Sequence, residues 1–175
     1  EIAMDYTKIG MRAVVIKTHY TPSASRTPIL QDYINRWAKE QALEPVKILG
    51  GVCLMKSVGG INPDAVKWNL RYPGCAYVWL PSMDAYDHKI IVGGETPEQA
   101  KKTGIRVLDD KGEVIPELKE ILEIITEKNL VFATGHYTHP VRLKLIEAAK
   151  DAGVKKIEIQ HCVEGAGHPA SATID

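Results

Sequence analysis

The sequence predicts an α/β fold: part of a (β/α)8 barrel, with about five parallel strands and helices outside them. Three observations carry this expectation. Short apolar-rich runs at Ala13–Ile16, Val46–Leu54, Cys75–Leu80, Leu130–Ala133 and Ile157–Ile159 alternate with helical stretches. Such alternation implies a parallel sheet with right-handed crossovers. Polar residues close several of these runs: Lys17 and His19, Asp84, His136, and His161. A doubly wound sheet also fits the alternation, but it concentrates its site at one switch point. Polar groups ending successive strands favour the barrel. The third observation is length: five strands in 175 residues fall short of the roughly 250 that a complete barrel takes. Residues 1–175 are therefore expected to form a single, incomplete barrel domain.

Each element has a local reason. The opening segment reads as the tail of a helix ended by Gly10, without an initiator Met before it. Ala13–Ile16 is continuous and partly β-branched, the mark of a strand buried on both faces. Thr27-Pro28 supplies a cap and a first-turn proline, and Leu30, Tyr33, Ile34 and Trp37 follow with helical spacing. After the strand at Val46–Leu54 comes a glycine turn, Val58-Gly59-Gly60-Ile61. Asn62-Pro63-Asp64 then reads as N-cap, N1 proline and acidic first turn. That helix stops before Pro73-Gly74, and Cys75–Pro81 is the next strand. From Asp87 to Gly104 the pattern is irregular. Ile105–Leu108 and Val114-Ile115 flank a polar turn at Asp109–Gly112 and predict a hairpin. Leu118, Ile121, Leu122 and Ile125 form one helical stripe after Pro116. A final helix runs from Pro140, with Thr138 or His139 as its cap, to Ala152 before Gly153. The ending from Gly165 to Ala170 is rich in small residues and completes no element.

Composition excludes several classes. Lys+Arg and Asp+Glu both number 22, so no net charge argues for nucleic acid or an anionic membrane as partner. No apolar run approaches the ~20 residues of a membrane span. Three cysteines without C-x-x-C spacing suggest neither a disulfide framework nor a zinc knot, which points to a reducing, cytoplasmic setting.

The chemistry is expected at the strand ends. If all strands run the same way, Lys17, His19, Asp84, His136 and His161 converge on one mouth. Neutral imidazoles with a carboxylate are the ligand set of a catalytic zinc or a similar divalent ion. In that scheme His136 and His161 bind the metal. Asp84 is a ligand or the general base, while Lys17 and His19 hold an anionic or carbonyl part of a small-molecule substrate. Gly59-Gly60 before a helix has the look of a phosphate turn but lacks the P-loop and G-x-G-x-x-G spacings, and reads as an ordinary tight turn. His139, beside a first-turn proline, reads as structural; Cys162 and Glu164 read as local packing or outer-shell groups.

Taken together, Gly10–His19, Val58–Pro63, Pro81–Ala85, Val107–Gly112 and Ala133–His136 resemble an uncharacterised family of amidohydrolase-like proteins, among the metal-dependent hydrolases built on a TIM-type barrel. The resemblance runs from Glu1 to about His161. It implies a mononuclear or binuclear divalent-metal site in which histidines ending the fifth and sixth barrel strands are ligands. His136 and His161 take those places if the strand after Met11 is the second. The H-x-H motif of the first strand and the aspartate of the eighth are absent from this sequence. No lysine or glutamate ends the fourth strand, where Asp84 is the nearest candidate.

The expected function is hydrolysis of a C–N or ester bond of a small molecule by metal-activated water, with the chain alone holding part of the site and inactive. Two alternatives come from other classes. One is a lyase or aldolase in which Lys17 forms a Schiff base. The other is a non-catalytic half-barrel that binds a ligand or partner chain, its open sheet edges favouring a homo-oligomer.

Overall fold

The computed structural model describes residues 1–161. Five parallel strands, β1 (Ala13–Val15), β2 (Lys47–Cys53), β3 (Cys75–Trp79), β4 (Val131–Ala133) and β5 (Ile157–Glu158), pair in sequence order and curl into a half-barrel. Helices surround it: α1 (Ile2–Lys8), α2 (Thr27–Glu40), α3 (Pro63–Asn69), α4 (Tyr86–Ile91), α5 (Pro97–Thr103), α6 (Pro116–Glu127) and α7 (His139–Asp151). No described helix is long and apolar enough to cross a membrane.

Side chains alternate across a strand, so each strand serves two layers. Val52 and Leu54, Val78 and Leu80, and Phe132 pack outward against Val66 of α3, Leu118, Ile121, Leu122 and Ile125 of α6, and Leu145 and Ala149 of α7. Between them lie Cys53, Met55, Trp79 and Ala133, which form a second cluster with Val15, Tyr77 and Met83 on the concave face. The first cluster is the core; the second is the floor of the site.

Most of the expected elements form, and the exceptions have identifiable causes. The residues buried on α2 are Thr27, Ile34 and Ala38, while Leu30 and Tyr33 of the expected stripe are exposed. Gln31 shares the inward side instead. Its amide accepts from Ile48 N–H at 2.6 Å and donates to the Val46 carbonyl at 3.2 Å, pairing β2 backbone ahead of the point where β3 joins it. The irregular stretch holds two short helices, α4 and α5. Thr96 and Gln99 close a capping box on α5. The expected hairpin reduces to a Leu108–Val114 bridge around the Asp109 turn, because Ile105 pairs with Ala85. Asn62 caps α3 as expected, accepting from Asp64 N–H at 3.0 Å. The small-residue ending, Cys162, Glu164 and His168 lie outside the described residues.

Candidate functional site

Lys17 lies two residues beyond Val15 and so shares its concave side. Its Nζ stands 5.8 Å from the centroid of Trp79, which stacks on Tyr77 at 4.9 Å. Burial lowers the Lys17 amine below its ordinary range, and Cys53 and Glu158 oppose that shift. Glu158 belongs to β5 and Lys17 follows β1, at opposite edges of the sheet. Their charges act on each other because the sheet curls.

His19 Nδ1 lies 2.7 Å from the hydroxyl of Ser82, which is fully buried just beyond β3. Burial first, then the neighbouring Lys17, lowers the His19 imidazole. Asp84 is held among loops: one carboxylate oxygen accepts from Lys56 N–H at 2.9 Å, and the other is 4.0 Å from Lys89 Nζ. Its carbonyl accepts from Ile105 N–H at 2.6 Å.

The imidazoles form the centre. Gly135 turns the chain out of β4 with φ of 67°, in the left-handed region. His136 N–H then donates to the Pro81 carbonyl at 3.0 Å, fixing the residue against the end of β3. The His136 ring centroid is 4.8 Å from that of His161, edge to face, and 5.1 Å from that of His88 on α4. The Nδ1 atoms of His136 and His88 are 3.1 Å apart. Burial drives His136 down to about 3, with further lowering from His161, His88, Lys17 and His19. His88 is lowered by burial and then by Lys89. Buried Arg142 of α7 ties the two strand ends together. Its Nε donates to the Tyr137 carbonyl at 2.7 Å and a terminal nitrogen donates to the His161 carbonyl at 3.2 Å.

Of the five residues singled out in the sequence, His136 and His161 are in ring contact. Lys17 and His19 lie close enough for their charges to act on His136. Asp84 is engaged by Lys56 and Lys89. The sequence places His88 with Asp84 just beyond the third strand, where it reads as turn chemistry, and assigns no role to Ser82. No local signal marks the helix that carries His88, because α4 opens at Ala85 without a side-chain cap.

Of the ligand set that the family resemblance implies, the two histidines stand in ring contact, and no third ligand completes it among the described residues. An imidazole must be unprotonated to ligate, and burial holds His136 in that form at neutral pH. Among the described residues no ready-made group of three or more His, Cys, Asp or Glu side chains could hold a metal ion. What the fold supplies is a tight imidazole pair with a third ring at its edge.

Neither the curated proteins nor the solved structures contain a match to this chain. A family model described as "Family of unknown function (DUF6282)" matches residues 1–174. That match spans nearly the whole chain, and the chain belongs to that family.

Proposed function

We propose that this chain belongs to a metal-dependent hydrolase of amidohydrolase type that cleaves a C–N or ester bond of a small molecule. The observation that carries the reading is the 4.8 Å contact between the rings of His136 and His161, which follow adjacent parallel strands. His136 and His161 would hold a divalent ion such as zinc. When bound, such an ion supplies carbonyl polarisation and lowers the pKa of water. Lys17, above the Trp79 face, binds the carbonyl or anionic end of the substrate. His19, oriented by Ser82, adds a hydrogen bond to the same end. Asp84 carries the proton to the leaving group. Free thiols at Cys53 and Cys75 support a reducing, cytoplasmic setting. The sheet edges at β1 and β5 support self-association.

A panel of amides, lactams and esters, assayed with zinc, manganese or cobalt on the full-length protein, tests the proposal. The expected result is turnover that a chelator abolishes and that His136→Ala eliminates. Turnover unaffected by chelation would contradict it.

A second reading has its own support. The Lys17 amine is partly desolvated above an aromatic floor, the setting in which a lysine becomes nucleophilic enough to form a Schiff base with a carbonyl substrate. Borohydride trapping of a carbonyl compound on Lys17, without added metal, would favour it. Absence of a borohydride-dependent adduct on Lys17 across the same carbonyl panel would remove it.

A further inference from the structure

We propose that Ser82 is a positioning residue that holds His19 as its Nε2–H tautomer, so that His19 meets the substrate as a hydrogen-bond donor and not as a base. This inference rests on the hydrolase reading only for the place of His19 at the carbonyl or anionic end of the substrate. It goes further in assigning the nitrogen that carries the hydrogen, and with it the kind of atom the site accepts.

The geometry starts from the 2.7 Å between His19 Nδ1 and the Oγ of Ser82, a residue with no exposed surface. A hydroxyl has one hydrogen to give. Every other partner of this one among the described residues is sulfur: Met55 Sδ at 3.4 Å, Met83 Sδ at 3.6 Å and the Cys53 thiol. Cys53 itself donates to the Leu80 carbonyl at 3.7 Å. Sulfur is a weak acceptor, whereas the lone pair of an imidazole nitrogen is a strong one. The separation also suits a hydroxyl donor and is short for a ring N–H donor, whose bonds cluster near about 2.9–3.0 Å. Ser82 therefore donates to Nδ1, and a neutral imidazole then carries its hydrogen on Nε2. Burial, and then Lys17, lower the His19 pKa and keep the ring neutral.

The seat of the hydroxyl is fixed on both sides. Ser82 N–H points at Met55 Sδ at 3.3 Å, and the Ser82 carbonyl accepts from Ala85 N–H at 3.0 Å. The carbonyl of Pro81, one residue earlier, accepts from His136 N–H at 3.0 Å. Ser82 thus presents its oxygen from a braced turn, as a positioning group must. A serine oxygen this close to a histidine also has the spacing of an activated nucleophile. Full burial withholds that role, because no electrophile reaches Oγ. With Nδ1 anchored at a buried hydroxyl, Nε2 lies across the ring and has no hydrogen-bond partner among the described residues. Lys17, two residues earlier, offers only donors when protonated. Side by side, the two select an acceptor oxygen, a carbonyl or a carboxylate, and reject a substrate ammonium.

Two-bond 1H–15N correlation spectra of the 15N-histidine-labelled full-length protein, recorded at mildly alkaline pH, provide the test. The His19 signals are assigned by their loss in His19→Gln, and far-UV circular dichroism checks folding of every variant. Wild type should show a pyrrole-type Nε2 and a pyridine-type Nδ1. Ser82→Ala should move both nitrogens toward the averaged shifts of exchanging tautomers, and Ser82→Thr, which keeps the hydroxyl, should restore the wild-type pattern. On any substrate turned over, His19→Ala should lose about 10²–10³-fold in kcat, the cost of one donor to a developing oxyanion. His19→Gln, whose amide N–H can take the place of Nε2–H, should lose far less. A hydrogen on Nδ1 in wild type would overturn the inference. So would an unchanged tautomer in folded Ser82→Ala, equal losses in the two His19 variants, or labelling of Ser82 by a fluorophosphonate. If no substrate is turned over, the hydrolase reading falls, while the spectra still decide the tautomer and the part Ser82 plays in it.

Discussion

One carboxylate oxygen of Asp87 accepts both the backbone N–H of Thr138, at 2.6 Å, and its hydroxyl, at 2.7 Å. Thr138 is the N-cap of α7, yet its own side chain makes no capping bond. An acid from α4 therefore satisfies the helix start from outside, where negative charge also complements the helix dipole. Asp87 is buried, so its removal leaves two polar groups of Thr138 without their acceptor. Asp87→Ala should cost on the order of 3 kcal/mol in urea denaturation. Asp87→Asn, which keeps a carbonyl oxygen, should cost less.

Arg142 provides the second tie. It holds the carbonyls of Tyr137 and His161, and so sets the spacing of the two imidazole-bearing turns. Arg142→Met fills the buried volume but removes both donors. A roughly 10-fold weakening of zinc binding, with circular dichroism unchanged, is expected, the scale typical of residues that orient ligands. Unaltered affinity in a folded variant would show that α7 does not set the position of His161.

Gly135 is required twice over. Its φ is 67°, and a Cβ there would lie 2.5 Å from the Pro81 carbonyl oxygen, the acceptor of the His136 N–H. Backbone atoms cannot yield as a flexible side chain can. Gly135→Ala should therefore destabilise by roughly 2–4 kcal/mol and displace His136, combining left-handed strain with a steric clash. A thermal melt within a degree of wild type would contradict this.

How much of this was legible beforehand depended on whether the signal was local. Parallel strands show in continuous apolar runs, and the alternation of elements is enough to order them. His136 and His161 could be paired because each follows a strand by a short, countable step. α2 was misread at its face because Gln31, a polar residue, turns inward to pair the β2 backbone. Periodicity of apolar residues cannot reveal that. α4 was missed because it is 6 residues long and opens at Ala85 without a side-chain cap. With it went the partner of His88, which is 48 residues away. The Thr96-Pro97-Glu98-Gln99 box is the one local helix-start signal within the irregular stretch, and it opens α5.

Acid should loosen the metal-free chain through His136. Its folded value of about 3 lies below the ordinary 6.5. Between those values the unfolded chain binds more protons than the folded one, so stability rises with pH. The contribution is complete above 6.5 and is lost as pH falls toward 3. At about 1.4 kcal/mol per unit, the loss from this group reaches a few kcal/mol. Urea denaturation between neutral pH and pH 4.5 should show a shallower slope for His136→Gln than for wild type.

The central claim is that imidazoles from separate elements grip one divalent ion at the rim of the half-barrel. Equilibrium dialysis of the chain against zinc chloride, with metal counted by emission spectrometry, measures this without needing a substrate. The account predicts saturable binding of one ion per chain, lost in His136→Ala and in His161→Ala while both variants stay folded. Saturable binding that survives both substitutions, or no binding by wild type, would contradict it.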